Sequence, residues 1–393
     1  MSRVTLGEAF VLNPTVKLSK GTHAPFVDMA SLVPFTRDVS AAQEKTYGGG
    51  MKFCDGDVLM ARITPSLENG KTSVYRAAAN QRNAPAFGST EFIVIRGKEG
   101  ISSTSFAYYL FTSPEIRDYA IGSMNGSSGR QRVQFDSLAS FEIDLPELQE
   151  QRSIAATLGA LDDKIESNRR ASHSIFKIVT AMLSSGAEKI RIGDIATVTK
   201  GLSYKGAGLD DGTGAGALPM LNLASFTTTG ELKSAGTKWY TGAFKPQHVL
   251  SPWEVVLANT DLTQARELLG RGFLVPPHYE GALHTHHTSV VRFFERSELS
   301  LLLWAQLQSA NFRDRAKRFA TGTTVAALPP EAVLDFELAV PDDLDERLNR
   351  ARLMIEKAWQ LERENETLTA TRDELLPELL SGRIRAADVG VDE

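Results

Sequence analysis

Two long stretches of the chain carry apolar residues at steps of three and four, the spacing of a helix that packs along one narrow stripe. They cover about residues 147–183 and 342–380. The predicted stripe of the first stretch consists of Ile154, Leu158, Leu161, Ile165, Asn168, Ser172, Ile175, Val179 and Met182. The predicted stripe of the second consists of Leu344, Leu348, Ala351, Met354, Ala358, Leu361, Asn365, Leu368, Leu375 and Leu379. The apolar side chains of such a stripe must be buried away from water, so we expect the two helices to pack on each other.

The order of the segments favours an antiparallel helix pair, because a second globular domain has to fit between the end of one helix and the start of the other. At a rise of ~1.5 Å per residue, about 35 residues give a rod of roughly 50 Å. The step from Ala351 to Met354 breaks the regular spacing once, which indicates a local stammer. Asn168 and Asn365 hold equivalent positions, and we expect them either to meet and fix the register or to face solvent.

The remainder of the chain contains a repeat. Short β-rich runs, separated by Gly, Pro, Asn and Asp, precede each long helix, and a helix is predicted near residues 103–121 with a counterpart near 297–319. Five short matches recur in the same order at an offset of about 195 residues, which indicates a tandem repeat. They pair residues 6–8 with 192–194, 57–59 with 254–257, 93–95 with 290–292, 126–128 with 322–324 and 141–146 with 336–341.

These patterns predict a mixed α/β (α+β) fold with a pseudo-twofold internal repeat. The two long helices are expected to form an antiparallel coiled coil between two tandem globular domains. The predicted segments are a first domain over 1–146, a first helix over 147–187, a second domain over 188–341, a second helix over 342–385 and a tail over 386–393.

The composition is that of a soluble globular protein, with 42% hydrophobic and 23% charged residues in a chain of 393. No apolar run reaches roughly 18 residues, so we expect no membrane span. The N-terminal residues lack the apolar block of a signal peptide, and Cys54 is the only cysteine in the sequence. A single cysteine excludes an internal disulfide and a cysteine-based zinc site. A cytoplasmic location is the resulting expectation.

The net charge of −5 is concentrated at the end of the chain. Residues 342–393 carry 8 Lys/Arg against 14 Asp/Glu, whereas the two predicted globular domains are close to neutral. We expect the acidic segment to contact proteins. The neutral domains leave room for local basic surfaces, so global charge neither supports nor excludes nucleic-acid binding.

Four motifs resemble those of the specificity subunits of type I restriction–modification systems. The most specific is LPELQEQRSIAATLGALDDKIESNRR (residues 145–170), which resembles the opening of the family's first spacer helix. A strand and loop of the family's target-recognition domains resemble GDVLMARITPSLENGK (56–71). The opening of a second such domain resembles IRIGDIATVTKGLSY (190–204), and the C-terminal end of the family's second helix resembles ELLPELLSGRIR (374–385). The second spacer opens VPDDLDERLNR and lacks the glutamine that Gln151 supplies in the first. Residues 251–260 are a degenerate copy of the recognition-domain strand.

The resemblance implies a non-catalytic subunit that reads a bipartite target in double-stranded DNA. Each recognition domain would bind one half-site, and the helices would fix the gap between the half-sites. The helices would also bind two methyltransferase (modification) subunits, and a restriction/translocase subunit would join for cleavage. S-adenosylmethionine, ATP and magnesium would then belong to the partner subunits, with no cofactor or metal on this chain. The residues expected to form the spacer or contact partners are Gln151, Ile154, Leu158, Leu161, Ile165, Asn168, Asn365 and Leu368.

Polar, glycine-rich loops with Arg or Lys are the candidate DNA contacts. Glycine lets the backbone approach a phosphate, and Arg, Asn and Gln can read base edges. In the first domain the candidates are Arg62, Thr64, Asn69, Lys71, Ser127, Ser128, Arg130, Gln131 and Arg132. In the second domain they are Asn259, Arg266, Arg271, Arg315, Lys317, Arg318, Thr323 and Thr324. For each of them, a solvated loop without a partner is the alternative.

Few motifs indicate catalysis. The sequence has no Asn/Asp-Pro-Pro-aromatic motif of an amino-methyltransferase, and Pro65 stands where a nucleotide-binding loop ending at Lys71 needs its first glycine. His284 and His286 would share one face of a strand and could bind a metal, but we favour a polar strand or loop, because no carboxylate or cysteine nearby completes a metal site. The alternative functions are a helical adaptor or scaffold without sequence-specific DNA reading, and a hydrolase that uses His284–His287.

Overall fold

The structure is a computed structural model that describes residues 1–127, 129–234, 236–263, 265–322 and 325–388. It divides into two compact units. Unit 1 consists of Met1–Glu166 and Asn365–Glu393, and unit 2 of Ser167–Glu364. Both long helices therefore contribute residues to both units, whereas the sequence predicts them as separate spacer segments.

Unit 1 contains a five-stranded sheet of order β2-β10-β7-β8-β4, a four-stranded sheet of order β5-β3-β9-β6 and the antiparallel pair β1-β11. These strands are β1 (Ser2–Thr5), β2 (Phe10–Leu12), β3 (His23–Val27), β4 (Asp38–Val39), β5 (Gln43–Thr46), β6 (Met51–Phe53), β7 (Val58–Ala61), β8 (Thr72–Tyr75), β9 (Ala86–Gly88), β10 (Phe92–Gly97) and β11 (Glu142–Leu145). Its α-helices up to Glu166 are α1 (Leu6–Ala9), α2 (Thr104–Thr112), α3 (Pro114–Gly122), α4 (Phe135–Ala139) and the first part of the long helix α5 (Leu148–Met182), which continues into unit 2.

Unit 2 contains sheets of order β13-β21-β17-β19 and β14-β16-β15-β20, and the pairs β12-β23 and β18-β22. Its strands are β12 (Glu188–Arg191), β13 (Ala196–Lys200), β14 (Leu209–Asp210), β15 (Leu218–Leu221), β16 (Lys238–Tyr240), β17 (Val255–Ala258), β18 (Thr260–Asp261), β19 (Gly272–Leu274), β20 (Leu283–His284), β21 (Thr288–Phe293), β22 (Ala326–Ala327) and β23 (Glu337–Val340). The remaining helices are α6 (Ile192–Ile195), α7 (Leu299–Leu307), α8 (Ala310–Phe319), α9 (Glu331–Leu334) and the long helix α10 (Leu344–Leu380). No helix in the described ranges is both long enough and apolar enough to span a membrane.

The two units repeat one topology. Strand β7 pairs with β10 so that Ala61 lies opposite Phe92, and β17 pairs with β21 so that Ala258 lies opposite Thr288. In both units the first strand pairs antiparallel with the strand that precedes a long helix, as β1-β11 and β12-β23. Four of the matched sequence segments lie on or beside corresponding elements, namely α1 and α6, β7 and β17, β10 and β21, and β11 and β23. The strand registers therefore assign each residue near the central sheet of unit 1 a counterpart in unit 2.

The helix predicted near residues 103–121 is two helices. Ser113 separates α2 from α3, and Pro114 is the first residue of α3. Proline has no backbone N–H to continue the hydrogen bonding of α2, but it suits the first turn of a new helix. The counterpart is also divided, because Ser309 caps α8 by accepting a hydrogen bond from the backbone nitrogen of Phe312 at 3.2 Å. The prediction of one helix in each place is wrong.

Within each unit the segments of α5 and α10 run antiparallel, as predicted. Early residues of α5 contact late residues of α10 in unit 1, and late residues of α5 contact early residues of α10 in unit 2. The hydrogen bonds that show this are Arg372 to Asp162 at 2.8 Å and the Ala386 nitrogen to Glu150 at 3.2 Å in unit 1, and Ser172 to Glu362 at 3.1 Å and Arg347 to the Met182 carbonyl at 2.8 Å in unit 2. Supercoiling of the pair remains a prediction.

The buried stripe of α5 departs from the predicted one. The predicted residues Leu161, Ile175 and Met182 are half-buried, and the residue after each is buried instead, namely Asp162 and Phe176 in the helix and Leu183 directly after it. An apolar pattern cannot identify Asp162, which is buried because Arg372 and the Tyr109 hydroxyl, at 2.7 Å, both donate hydrogen bonds to it. The other members of the stripe join the domain interiors, with Ile154 and Leu158 in the core of unit 1 and Phe176 and Val179 in that of unit 2.

The stripe of α10 is regular where a stammer was predicted. Ile355 is fully buried and Met354 is half-buried, so the steps from Leu344 through Leu348, Ala351, Ile355 and Ala358 alternate between four and three residues. Apolar residues stand at both 354 and 355, and the sequence pattern alone selects the wrong one. The predicted stammer is therefore wrong.

Candidate nucleic-acid interface

A surface hairpin in unit 1 carries several of the predicted DNA contacts. Asn125 and Arg132 exchange backbone hydrogen bonds at 3.1 and 2.9 Å, and the turn between them is closed by the Arg130 nitrogen and the Ser127 carbonyl at 2.9 Å. Gly126 has a φ of +136°, a conformation that favours glycine. The side chains of Ser127 and Arg130 are exposed. The predicted contact Ser128 lies outside the described residues.

This hairpin packs on the loop that follows the central strand β7, so the structure brings two predicted loops together. The Thr64 nitrogen donates to the Gln131 carbonyl at 3.0 Å, and the Gln131 nitrogen donates to the Thr64 hydroxyl at 3.1 Å. Ile63 forms a β-bridge with Arg132. Thr64 is itself buried. We therefore revise the predicted role of Thr64 from DNA contact to support of the hairpin.

The other candidates of unit 1 differ in how freely they can bind a ligand. Arg132 forms a bidentate ion pair with Glu91, with nitrogen–oxygen distances of 2.7 and 3.0 Å, and hydrogen bonding from this guanidinium lowers the pKa of Glu91. The ammonium group of Lys71 donates to the Met29 carbonyl at 2.8 Å. Asn69 is exposed and Gln131 is half-buried. Asn69, Ser127 and Arg130 are thus the exposed candidates of unit 1, and Gln131 is partly accessible.

Unit 2 contains the corresponding hairpin. Thr321 and Ala327 exchange backbone hydrogen bonds at 2.9 and 2.8 Å, and Ala327 pairs with Thr260, which follows β17. Gly322 has a φ of +87°, and a Cβ atom there would lie 2.3 Å from the Val325 carbonyl oxygen. Only glycine fits this position. The predicted contacts Thr323 and Thr324 lie outside the described residues.

The residues that directly follow β7 and β17, Arg62 and Asn259, are counterparts with a shared feature. Asn259 is buried and donates to the Ser289 hydroxyl at 2.9 Å. Within the described part of the chain, its side-chain oxygen has no hydrogen-bond partner, and neither does the Nε atom of Arg62. A buried polar atom without a partner in the protein is expected to bind water or a ligand. Both atoms are therefore open to an additional partner beneath the hairpins.

One arginine of α8 that is not among the predicted DNA contacts has a supporting role. Arg313 of α8 is buried and donates to the carbonyl oxygens of Leu269, Arg266 at 3.1 Å and Glu267 at 2.8 Å. Burial lowers the pKa of Arg313 to about 10. This side chain holds the loop between β18 and β19. Arg266 lies on that loop with a φ of +51° and donates weakly to the Lys317 carbonyl at 3.4 Å.

The remaining basic candidates of unit 2 fall into two groups. Lys317 and Arg318 are exposed in the last turn of α8, where cations also interact favourably with the helix dipole. Arg315 donates to the Ala332 carbonyl at 2.7 Å and lies over the Phe319 ring. Arg271 lines a cavity of about 260 Å³ beside α5 and donates to the Gln308 side chain at 3.2 Å. Burial lowers the pKa of Arg271.

The histidines do not form the metal site considered from the sequence. His284 is fully buried, its Nδ1 atom is hydrogen-bonded to the Thr288 hydroxyl at 3.0 Å, and burial lowers its pKa to about 3. The rings of His286 and His287 contact each other, with centroids 3.9 Å apart. Across the described ranges, no group of three or more His, Cys, Asp or Glu side chains is placed to hold a metal ion.

Gln151 attaches the first long helix to its own domain. It is fully buried, its side-chain oxygen accepts from the Ser103 nitrogen at 2.9 Å, and its side-chain nitrogen donates to the carbonyls of Ile101 at 3.0 Å and Pro146 at 2.8 Å. We therefore revise its predicted role from partner contact to internal support.

The other spacer candidates have less uniform surroundings. Ile165 is buried, whereas Leu161, Asn365 and Leu368 are half-buried. Asn168 donates to the Glu364 carboxylate at 3.0 Å, so its side chain has a partner other than the predicted Asn365. The pairing of the two asparagines remains a prediction.

Comparisons with known proteins agree with this architecture. Residues 35–175 match the model of the type I restriction modification DNA specificity domain. The chain is 26% identical over 163 residues to the specificity subunit of the type I restriction enzyme EcoEI of Escherichia coli, an alignment that covers 40% of this chain and 27% of that protein. It is 31% identical over 121 residues to the specificity subunit of EcoAI, also of Escherichia coli, covering 30% of this chain and 20% of that protein. The matches thus span only about a quarter of the length of these curated relatives.

A solved structure supports the fold over most of the chain. The crystal structure of the type I restriction–modification system S subunit from M. genitalium matches with a TM-score of 0.56 at 13% identity, and the match covers 96% of this chain and 95% of that one. This likeness confirms the predicted mixed α/β fold. The chain is thus similar in sequence to type I restriction–modification specificity subunits, as its motifs predicted, and residues 35–175 match the model of the DNA specificity domain.

Proposed function

We propose that this chain is a non-catalytic specificity subunit that reads a bipartite sequence in double-stranded DNA. The observation that carries the proposal is the duplicated arrangement of a polar hairpin on the loop after the central strand, at residues 125–132 in unit 1 and 321–327 in unit 2. Each unit would read one half-site. The presence of two related but non-identical units suits a target with two different halves.

The side chains of each hairpin suit contact with a DNA duplex. Arg130, Gln131 and Asn69 can form paired hydrogen bonds with guanine or adenine edges in the major groove. The glycine positions 126 and 322 let the backbone approach a phosphate. The unpaired buried atoms of Arg62 and Asn259 lie beneath the hairpins and could anchor a water molecule or a base contact.

The long helices are the proposed structural link to the other subunits. They would fix the gap between the half-sites and bind two methyltransferase subunits. Those subunits would transfer the methyl group of S-adenosylmethionine to adenine. A restriction/translocase subunit with ATP and magnesium would join for cleavage. The acidic excess of residues 342–393 supports protein contact rather than DNA contact for this segment, because DNA phosphates would repel its carboxylates.

Binding measurements on the assembled methyltransferase complex test the proposal. The chain is co-expressed with its methyltransferase subunit, and the affinity for a target duplex is compared with that for a scrambled duplex. Replacement of Arg130 by Ala should weaken target binding by roughly 1–3 kcal/mol and relax the preference at one base pair. Arg3, an exposed arginine that pairs with Glu142, is the matched control, and its replacement by Ala should leave both affinities unchanged. Equal affinity of the wild-type complex for both duplexes would refute DNA reading and favour the adaptor function.

A further inference from the structure

Unit 2 contains a compact cluster of basic and aromatic side chains that the hairpin does not include. His287 stacks on His286, and its Nδ1 atom is hydrogen-bonded to the Thr260 hydroxyl at 2.9 Å. Lys200 and Lys238 both lie close enough to His287 to lower its pKa. Lys238 donates to the Tyr204 hydroxyl at 2.8 Å, and the Tyr204 ring lies 6.3 Å from that of His286.

The repeat shows that this cluster is a property of unit 2 alone. In the register of the central sheets, Ala61 corresponds to Ala258 and Phe92 to Thr288, so His286 and His287 correspond to Thr90 and Glu91. The pairings of the neighbouring strands extend the correspondence to the two lysines. The matched positions are Lys200 with Pro14, Lys238 with Gln43, His286 with Thr90 and His287 with Glu91.

The substitutions change the charge at one place in the fold. In unit 1, Glu91 is ion-paired with Arg132, and hydrogen bonding by this arginine keeps the Glu91 pKa low, so the carboxylate stays charged throughout the neutral range. In unit 2, Ala327 stands at the position of Arg132, and the carboxylate is replaced by an imidazole. Unit 2 therefore has lost an internal ion pair and gained uncompensated basic groups at the same site.

The carboxylate on the strand beside His287 does not neutralise the cluster. Asp261 follows Thr260, but its carboxylate oxygens accept hydrogen bonds from the backbone nitrogens of Thr263 at 2.7 Å and Leu268 at 2.7 Å, on the loop after β18. Within the described ranges, Lys200 has no ion-pair partner and is exposed. The groups that face His287 are thus His286, Lys200, Lys238 and the Thr260 hydroxyl.

We propose that Lys200, Lys238 and His287 form a binding site for a DNA backbone phosphate at the half-site read by unit 2, and that His287 takes up a proton when the phosphate binds. This inference rests on the proposed function and adds a contact to it. In the free protein, burial and the neighbouring basic groups lower the pKa of His287, so the ring is neutral near pH 7. A phosphate between the ring and the lysines reverses that effect, because its negative charge stabilises the imidazolium form. Unit 1, with the Glu91–Arg132 pair in this place, has no equivalent titration.

Proton-linked DNA binding by the assembled methyltransferase complex tests the inference. The affinity for the target duplex is measured at pH 8, 7 and 6 at constant ionic strength, and proton uptake is measured by calorimetry in buffers of different ionisation enthalpy. For the wild-type complex, we expect net uptake on binding and an affinity that rises by up to about tenfold per pH unit as the pH falls below neutrality. The His287→Gln variant should lose most of the rise in affinity between pH 8 and pH 6 and most of the proton uptake on binding.

Two further variants separate the phosphate site from general effects of charge. Lys200→Gln should weaken binding to all duplexes alike and reduce the slope of log affinity against log salt by about one, as expected for one lost phosphate contact. Glu91→Gln alters the corresponding position of unit 1 and should retain the wild-type pH dependence, because the Glu91 carboxylate does not titrate in this range.

The outcomes distinguish this inference from the proposed function. Sequence-specific binding with a pH dependence that His287→Gln leaves unchanged overturns the phosphate site and leaves the proposed function intact. Failure of the wild-type complex to prefer its target at any pH overturns the proposed function itself. If His287→Gln binds no DNA even at pH 8, two other measurements test the inference. It is contradicted if the wild-type complex takes up no proton on binding, or if Lys200→Gln leaves the salt dependence of binding unchanged.

Discussion

At the scale of single residues, an ion pair between a carboxylate and an arginine recurs at the central sheet of each unit, and in unit 1 the carboxylate is buried. Asp57 is almost fully buried and accepts two hydrogen bonds from Arg96 at 2.6 Å each, and the counterparts Glu254 and Arg292 are joined at 2.6 Å. Asp57 also accepts from the Cys54 nitrogen at 2.7 Å. Its loss would leave the guanidinium and a backbone amide without their partner.

We expect Asp57→Ala to lower the free energy of unfolding by about 3 kcal/mol, since removal of one partner of a buried pair leaves the other uncompensated. Urea denaturation measures the change. The exposed pair of Arg3 and Glu142 supplies the comparison, and Arg3→Ala should cost less than about 1 kcal/mol. Equal effects of the two substitutions would contradict the structural importance of the buried pair.

A second residue-scale prediction concerns acid stability. Burial, together with the nearby Arg292 and His248, lowers the pKa of His284 from 6.5 to about 3 in the folded protein. Below pH 6.5 the unfolded chain binds a proton that the folded chain does not, so stability is full above that pH and declines as the pH falls. The decline should reach about 2 kcal/mol at pH 5. His284→Leu should reduce this decline whatever its effect at pH 8, and an unchanged pH profile of urea unfolding would contradict the burial of the neutral ring.

The sequence predicts the types of residue in the candidate site better than their roles. Arg130, Asn69 and Gln131 lie on loops, as the pattern of glycine and polar residues indicates. The partnership of Glu91 with Arg132 could not be predicted, because the two are 41 positions apart and meet only through the register of the sheet. Burial of Thr64 and Asn259 depends on hairpins that pack over them, and no local pattern reports that packing.

At the scale of secondary-structure elements, the long helices were predicted to within a few residues. The apolar stretches were expected over 147–183 and 342–380, and the helices span Leu148–Met182 and Leu344–Leu380. The predicted spacer segments, 147–187 and 342–385, end five residues beyond these helices. The periodicity of apolar residues is strong over such lengths. The buried face of each helix was predicted less accurately. In each unit the helix packs against a domain core as well as against the other helix, and the apolar pattern does not separate these two contacts. Charged and aromatic residues such as Asp162 and Phe176 therefore enter the buried stripe.

Neighbouring apolar residues of α10 test the corrected stripe. Ile355 is fully buried and Met354 is half-buried. Ile355→Ala should lower the free energy of unfolding by about 2–5 kcal/mol, because it leaves a cavity, whereas Met354→Ala should cost clearly less. Urea denaturation of both variants gives the comparison. A larger loss for Met354→Ala would restore the stripe and the stammer inferred from the sequence.

At the scale of the whole molecule, the repeat is the feature that connects sequence with function. Matches of three to six residues at offsets of 186 to 197 residues were sufficient to predict it, and the strand orders of the two units show the same pairings around β10 and β21. The repeat also exposes differences between the units. The positions occupied by Glu91 and Arg132 in unit 1 hold His287 and Ala327 in unit 2. Related units with different surfaces are what the reading of two different half-sites requires.

Methylated adenines mapped in cells that express this chain with its methyltransferase subunit would show whether each unit reads one half-site. In that case, the methylated motif consists of two specified blocks separated by a fixed number of unspecified bases. Replacement of Arg130 and Gln131 by Ala should relax or abolish the specificity of one block and leave the sequence of the other block and the gap unchanged wherever methylation persists. A motif with a single block, or a variant in which both blocks change together, would contradict the assignment of one half-site to each unit.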